Sequence, residues 1–297
     1  GGETVSRVLT QAEDAERMLN ELQDCCGRGL DLRAVILPVE AVIPRPEEPE
    51  TEEEEGDKEK KGPKRLAVEE LYQKVSGLAS LSKGYLVMAG VASVIAAIGL
   101  MRNDVAVIIG SMVIAPLLGP NIGLILAITL ADGDLTRTSL RTMLAGAAVV
   151  LVVGVLIGLA FSFEPGGHEL AARTEVRHSL IVLALATGVA GAYSITTGIS
   201  EALVGVMVAV ALLPPLVASG LYLGAGHFSM AANALLLFLV NVAGINLAGT
   251  ATFLLQGVRP RQWWEAKQAA RAVRVALAVW VLLLALFAGL ILLKQVF

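Results

Sequence analysis

The chain has 297 residues, 55% of them hydrophobic and only 17% charged, and its mean hydropathy is +0.70. A soluble domain carries about a quarter charged residues, so the composition argues against a water-soluble fold and for one built in lipid. The net charge of -4 comes mostly from an acidic run near residue 50, and no basic stripe with interleaved aromatics marks a nucleic-acid binder.

Residues 1–44 read as a small cytoplasmic α/β segment. "ETVSRVL" alternates as a strand does, and Thr10 with Glu13 has capping-box spacing for the helix that follows. Gly27 and Gly29 end that helix, and "LDLRAVILPVEAVI" reads as a second strand. One such unit buries little core by itself, which calls for a partner and makes a homo-oligomer the expectation. Cys25 and Cys26, the only cysteines, have no nearby His and read as ordinary helix-end residues. No secretory signal is visible, since the first long apolar run begins at Gly84.

Residues 45–64 are rich in Pro, Glu and Lys and lack apolar residues, the composition of a solvated, disordered tether. Over 65–83, Val68, Leu71, Val75 and Leu78 share a helical face, as in an amphipathic helix at the membrane surface.

The transmembrane domain occupies 84–297. Seven charge-free stretches, 84–101, 105–131, 142–163, 179–200, 202–226, 228–258 and 275–293, are long enough to cross hydrocarbon, which needs roughly 17–25 helical residues. Basic residues set the orientation: Lys74, Lys83, Arg137, Arg141, Arg259, Arg261, Lys267, Arg271 and Arg274 fall on one side. Arg102, Arg173, Arg177 and Lys294 fall on the other, offset by Asp104, Glu164, Glu169 and Glu175. The expected protein is therefore a multi-pass protein of the cell membrane with its N-terminus in the cytoplasm. Trp263 and Trp264 sit where interfacial anchors belong.

The first six spans divide into two sets of three. In each, a plain helix ends at a polar junction, Arg102-Asn103-Asp104 or Thr196-Thr197-Gly198-Ile199-Ser200-Glu201, and a proline-bearing helix follows. Pro116 and Pro120 in one set match Pro214 and Pro215 in the other. An odd number of spans per set reverses orientation, so the pattern fits either an inverted 3+3 repeat with Pro-broken helices or two independent kinks.

The stretch "ELYQKVSGLASLSKGYLVMAGVASVIAAIGLMRNDVAVIIGSMVIAPLLGP", with "ALVGVMVAVALLPPL" and "LFLVNVAGINLAG", resembles the DUF389 family of hydrophobic prokaryotic membrane proteins. The resemblance covers nearly all of 66–255. It implies the helical membrane fold, often with an N-terminal α/β domain, and carries no activity with it.

Prolines free carbonyls one turn earlier, and in lipid these need new partners. Pro116, Pro214 and Pro215 thus mark where backbone polarity could meet a solute or ion, with Asn121 beside them. The competing reading is a kink that lets helices pack through Gly119/Gly123 and Gly220/Gly224. Asp104 and Glu201 head the proline-bearing helices, either as helix caps or as cation-binding groups at opposite membrane faces. Asn103, Thr197 and Ser200 belong to the same junctions. Asn241 and Asn246 either bond between helices or touch a solute. His168, His178 and His227 have no second ligand at metal spacing, and no phosphate loop, nucleophile elbow or zinc helix appears. No catalysis, cofactor or metal is expected. The reading that follows is a transporter or channel for a small solute or ion, with a membrane-anchored scaffold or sensor as the alternative.

Overall fold

The computed structural model describes residues 68–175, 178–197, 201–258, 273–287 and 289, with the side chains of 178 and 201–203 left aside. The expected α/β segment, Cys25, Cys26, the acidic tether, Trp263, Trp264 and Ser200 lie outside these residues. Regular structure among the described residues is helical throughout. In chain order it comprises α1 (Val68–Ala79), α2 (Lys83–Met101), α3 (Val105–Ile114), α4 (Leu118–Leu130), α5 (Gly133–Ala160), α6 (His168–Ala172), α7 (His178–Thr197), α8 (Glu201–Gly224) and α9 (Phe228–Leu255). A shorter apolar helix, α10 (Val273–Phe287), follows.

Helices α2, α5, α8 and α9, with α7 from Ser179, are long and apolar enough to cross a membrane, and α3 with α4 makes a sixth span bent by 55°. Outward faces carry apolar stripes at helical spacing, Val87, Val91, Val94 and Ile98 on α2 and Val152, Leu156 and Leu159 on α5. Inside, the buried polar residues among those described are Ser, Thr and Asn, with no charged side chain. Apolar outside and sparingly polar inside is the pattern that hydrocarbon solvent imposes. The described region is that of a polytopic helical membrane protein.

Four hydrogen bonds fix how the helices run. Tyr72 of α1 donates to Asp132 Oδ2 at 2.7 Å, so the end of α4 returns to the side where α2 starts. The Asn103 side chain accepts from the Glu169 amide at 2.9 Å, so α5 leads back to the side where α2 ends. Tyr222 donates to the Pro165 carbonyl at 2.8 Å, which brings the end of α8 to that same side. Thr196 donates to Gln256 Oε1 at 3.0 Å, which joins the ends of α7 and α9. Helices α3 and α4 are bent by 55° at the break between them, and α1 runs antiparallel to α4, with Tyr72 by Asp132 and Leu78 by Gly119. With the α2 start called the near end, α4 and α9 both finish near, and α8 starts near and finishes far.

Local sequence explains the breaks. Asn103 takes a left-handed φ of 54° after α2, which Asn tolerates better than most residues. Asp104 then caps α3, accepting from the amides of Ala106 and Val107 at 3.1 and 3.2 Å. Ala115 is driven to extended backbone, φ -73° and ψ 119°, as the residue before a proline is. α4 begins after Leu117 with no side-chain cap.

One expectation needs correction. Pro214 and Pro215 do not break their span: α8 is a continuous helix through both. The carbonyl of Ala211, which Pro215 deprives of its donor, accepts instead from Asn241 Nδ2 at 2.7 Å. The helix over 68–79 forms, with Leu71, Val75 and Ala79 buried where α1 packs on α4.

Small residues bring the other helices together. A Cβ on Gly154 would lie 3.0 Å from the Gly220 Cα, and one on Gly220 would lie 2.7 Å from the Leu151 carbonyl oxygen. The α5–α8 crossing thus uses Gly220 and Gly224 as the sequence spacing predicts. Gly119 and Gly123 in turn receive Leu78 and Ala79 of α1.

Candidate functional site

The break at Ala115-Pro116-Leu117 leaves the last carbonyls of α3 and the first amides of α4 without intrahelical partners, level with Tyr85 at the start of α2. Pro120 removes one further amide from the first turn of α4. Asn121 follows, only 1% exposed, and its Nδ2 donates to the Leu117 carbonyl at 2.8 Å. A carbonyl can only accept, so the amide nitrogen must face it and Oδ1 is the atom left over. That oxygen is buried with no hydrogen-bond partner among the described residues.

A cavity of about 10 Å³, counted as space open to the centre of a water, touches this point. Leu117, Pro120 and Asn121 of the break line it, as do Tyr85 of α2, Leu212 and Leu216 of α8, and Phe238 and Val242 of α9. The volume is about what one water requires. The Tyr85 hydroxyl is a second buried atom without a partner, and it lies against Gly146 of α5. The cavity sets Leu117, Pro120 and Asn121 against Leu212 and Leu216 of α8, and its lining is mostly apolar.

The other candidates separate. Asp104 is exposed and acts as the cap of α3, and Asn103 is spent on the Glu169 amide at the far end. Thr197 donates to the Tyr193 carbonyl at 2.9 Å within its own helix. Glu201 opens α8, near the end of α7 and so at the opposite end from Asp104. Asn241 is an interhelix bond. Asn246, fully buried, repeats the Asn121 geometry: Nδ2 donates to the Val242 carbonyl at 2.8 Å and Oδ1 has no partner. Of the eleven residues, the structure gathers Pro116 and Asn121 at the break.

Sequence reasoning missed Tyr85, Ser139, Thr142 and Thr250. All four are buried with hydroxyls lacking a partner. Other buried Ser and Thr, such as Ser93, Thr129 and Thr252, return their hydroxyl to the preceding turn, the ordinary habit in helices. Nothing in a linear sequence separates hydroxyls that do so from those that do not.

At the near end, Asp132 caps α5 through the Leu135 amide at 2.8 Å while holding Tyr72. The hydrogen bond to Asp132 first, then burial and the charges of Asp132 and Asp134, push the Tyr72 hydroxyl up to about 12.

Fold and site define a polytopic helical membrane protein whose second crossing is broken beside a buried amide. The family described as "Domain of unknown function (DUF389)" matches residues 112–247, from within α3 to within α9. A protein of Methanocaldococcus jannaschii, "Uncharacterized protein MJ0678", is 37% identical over 277 residues, covering 93% of this chain and 84% of its own length. The chain belongs to the DUF389 family. No solved structure matches it.

Proposed function

We propose that the protein is a transporter or channel for a small solute or ion, with the N-terminal region regulating or assembling it. The observation that carries this reading is the break at Pro116, with the unpartnered oxygen of Asn121 buried at its side. Irregular backbone at membrane depth is tolerated where it is covered by protein or lines an aqueous cavity, and discontinuous helices at midplane are where transporters bind their cargo. A cavity with room for one water corresponds to a closed state, and conduction requires α4 to move against α8. Helix pairing supports an inverted repeat: α2 pairs with α5 as α7 pairs with α9, and α4 with α5 as α8 with α9. Under this reading the protein has no catalytic role, works as a homo-oligomer in the cell membrane, and keeps its N-terminus in the cytoplasm.

The membrane-anchored scaffold or sensor is the second reading, and one observation favours it. At Pro215 the freed carbonyl bonds to Asn241, so there the proline serves packing alone. Flux into liposomes separates the two. Wild-type protein should carry a small solute or alkali cation, and Asn121→Leu should cut the rate at least tenfold with the fold intact. Equal, background-level flux from both would leave the anchor.

A further inference from the structure

Three of the buried oxygens without a partner among the described residues, Asn121 Oδ1, Asn246 Oδ1 and Thr250 Oγ1, lie on α4 and α9. Gly249 of α9 receives the Ile125 side chain of α4. Both helices run from far to near, so one turn back Asn121 on α4 comes level with Ile245 and Asn246 on α9. Val242, Asn246 and Gly249 share one face of α9 by their spacing; Val242 lines the cavity with Asn121, and Gly249 faces α4. The register therefore sets Asn121 and Asn246 on facing stripes at one height. Thr250, one turn beyond Asn246, continues the stripe.

The atoms these residues leave over are all oxygens. Both amides spend their nitrogen on a backbone carbonyl, which leaves Asn121 Oδ1 and Asn246 Oδ1 able only to accept. The Thr250 hydroxyl also has no partner, although Thr252 beside it returns its proton to the preceding turn at 2.8 Å. A group that accepts and cannot donate calls for a cation or a donor. Neither α4 nor α9 carries a carboxylate, which disfavours a divalent ion, whose sites rely on carboxylate charge. Neutral oxygens replacing a hydration shell are the chemistry of monovalent selectivity.

We infer that the α4–α9 interface binds an alkali cation through Asn121 Oδ1, Asn246 Oδ1 and Thr250 Oγ1. The inference rests on the transport reading for its role, since the site adjoins the cavity at the break, and it names the cargo or coupling ion of that path. Binding itself is independent of flux.

The test is thermal unfolding of the full-length protein in lipid nanodiscs, in sodium, potassium or N-methylglucamine chloride at matched ionic strength. A ligand that binds only the folded state raises the midpoint with concentration. One of the two metal ions should raise it saturably by roughly 3 °C or more over the organic cation. Asn121→Leu and Asn246→Leu should lose that increment. Asn246→Asp should keep it and gain a response to calcium, which a carboxylate at the site admits. Equal midpoints in all three salts would mean that the oxygens hold trapped water only, and the site would be withdrawn. A shift that survives in both leucine variants would show a general salt effect and overturn the site equally. If the leucine variants do not fold, Thr250→Val and Asn246→Asp decide by the same criteria. Cation binding without liposome flux would leave the site standing and remove the path; flux indifferent to the alkali cation would do the reverse.

Discussion

Asn241 and Asn121 show how one residue type serves opposite ends in this interior. Asn241 donates to the carbonyl that Pro215 strips of its partner, and so makes an internal proline tolerable. Replacing it with leucine orphans a buried carbonyl, which costs about 1–3 kcal/mol. In a Pro215→Ala background the backbone amide returns, and the same replacement should cost well under half as much. A denaturant titration of the four proteins measures the coupling, and equal costs in both backgrounds would sever Asn241 from the proline. At the near end, Tyr72 offers a pH test. Its hydroxyl is raised from 10.0 to about 12, so folding favours the protonated form. The contact's stabilising effect is complete below pH 10 and is lost as the pH climbs through about 12. The alkaline fall in stability should shrink in Tyr72→Phe, and the late-titrating part of the tyrosinate absorbance should be smaller in that variant than in the wild type.

Between helices, packing depends on where a methyl group fits. A Cβ on Gly110 meets nothing within 4 Å, while one on Gly158 would run into the backbone of Leu221. Gly110→Ala should therefore stabilise by about 0.5–1 kcal/mol through helix propensity. Gly158→Ala should destabilise by about 1–3 kcal/mol through overpacking. Opposite signs for one chemical change are the expected result, and unfolding midpoints read them directly. The sequence made the elements legible wherever solvent enforced them. Long apolar runs announced the spans, Asn103-Asp104 the first turnaround, and Pro116 the break. It misled at Pro214-Pro215, because whether a proline breaks a helix depends on a donor 26 residues further along the chain, at Asn241. Only tertiary structure brings the two together.

At the scale of the molecule, the alternation of near and far ends could be read from span count and basic residues, since crossing hydrocarbon leaves few options. The candidate site was half legible. Polar residues in apolar runs drew attention to Asn121 and Asn246, but Tyr85 reads as an ordinary aromatic and Thr250 belongs to a type that usually satisfies itself locally. Whether a buried polar atom has a partner is a property of packing, and packing decides between a path and an anchor.

The central claim is that water reaches the interior at the broken crossing. Single cysteines at Leu117, Asn121 and Leu212, in a chain with Cys25 and Cys26 changed to serine, can be challenged in native membranes with a charged, water-soluble thiol reagent. Cysteine at exposed Asp104 should react and cysteine at Val152, on the apolar outer face, should not. We predict that the cysteine replacing Asn121 and at least one of its two neighbours are modified at rates well above that at Val152. Labelling at Asp104 alone, with all three interior positions as inert as Val152, would contradict the account.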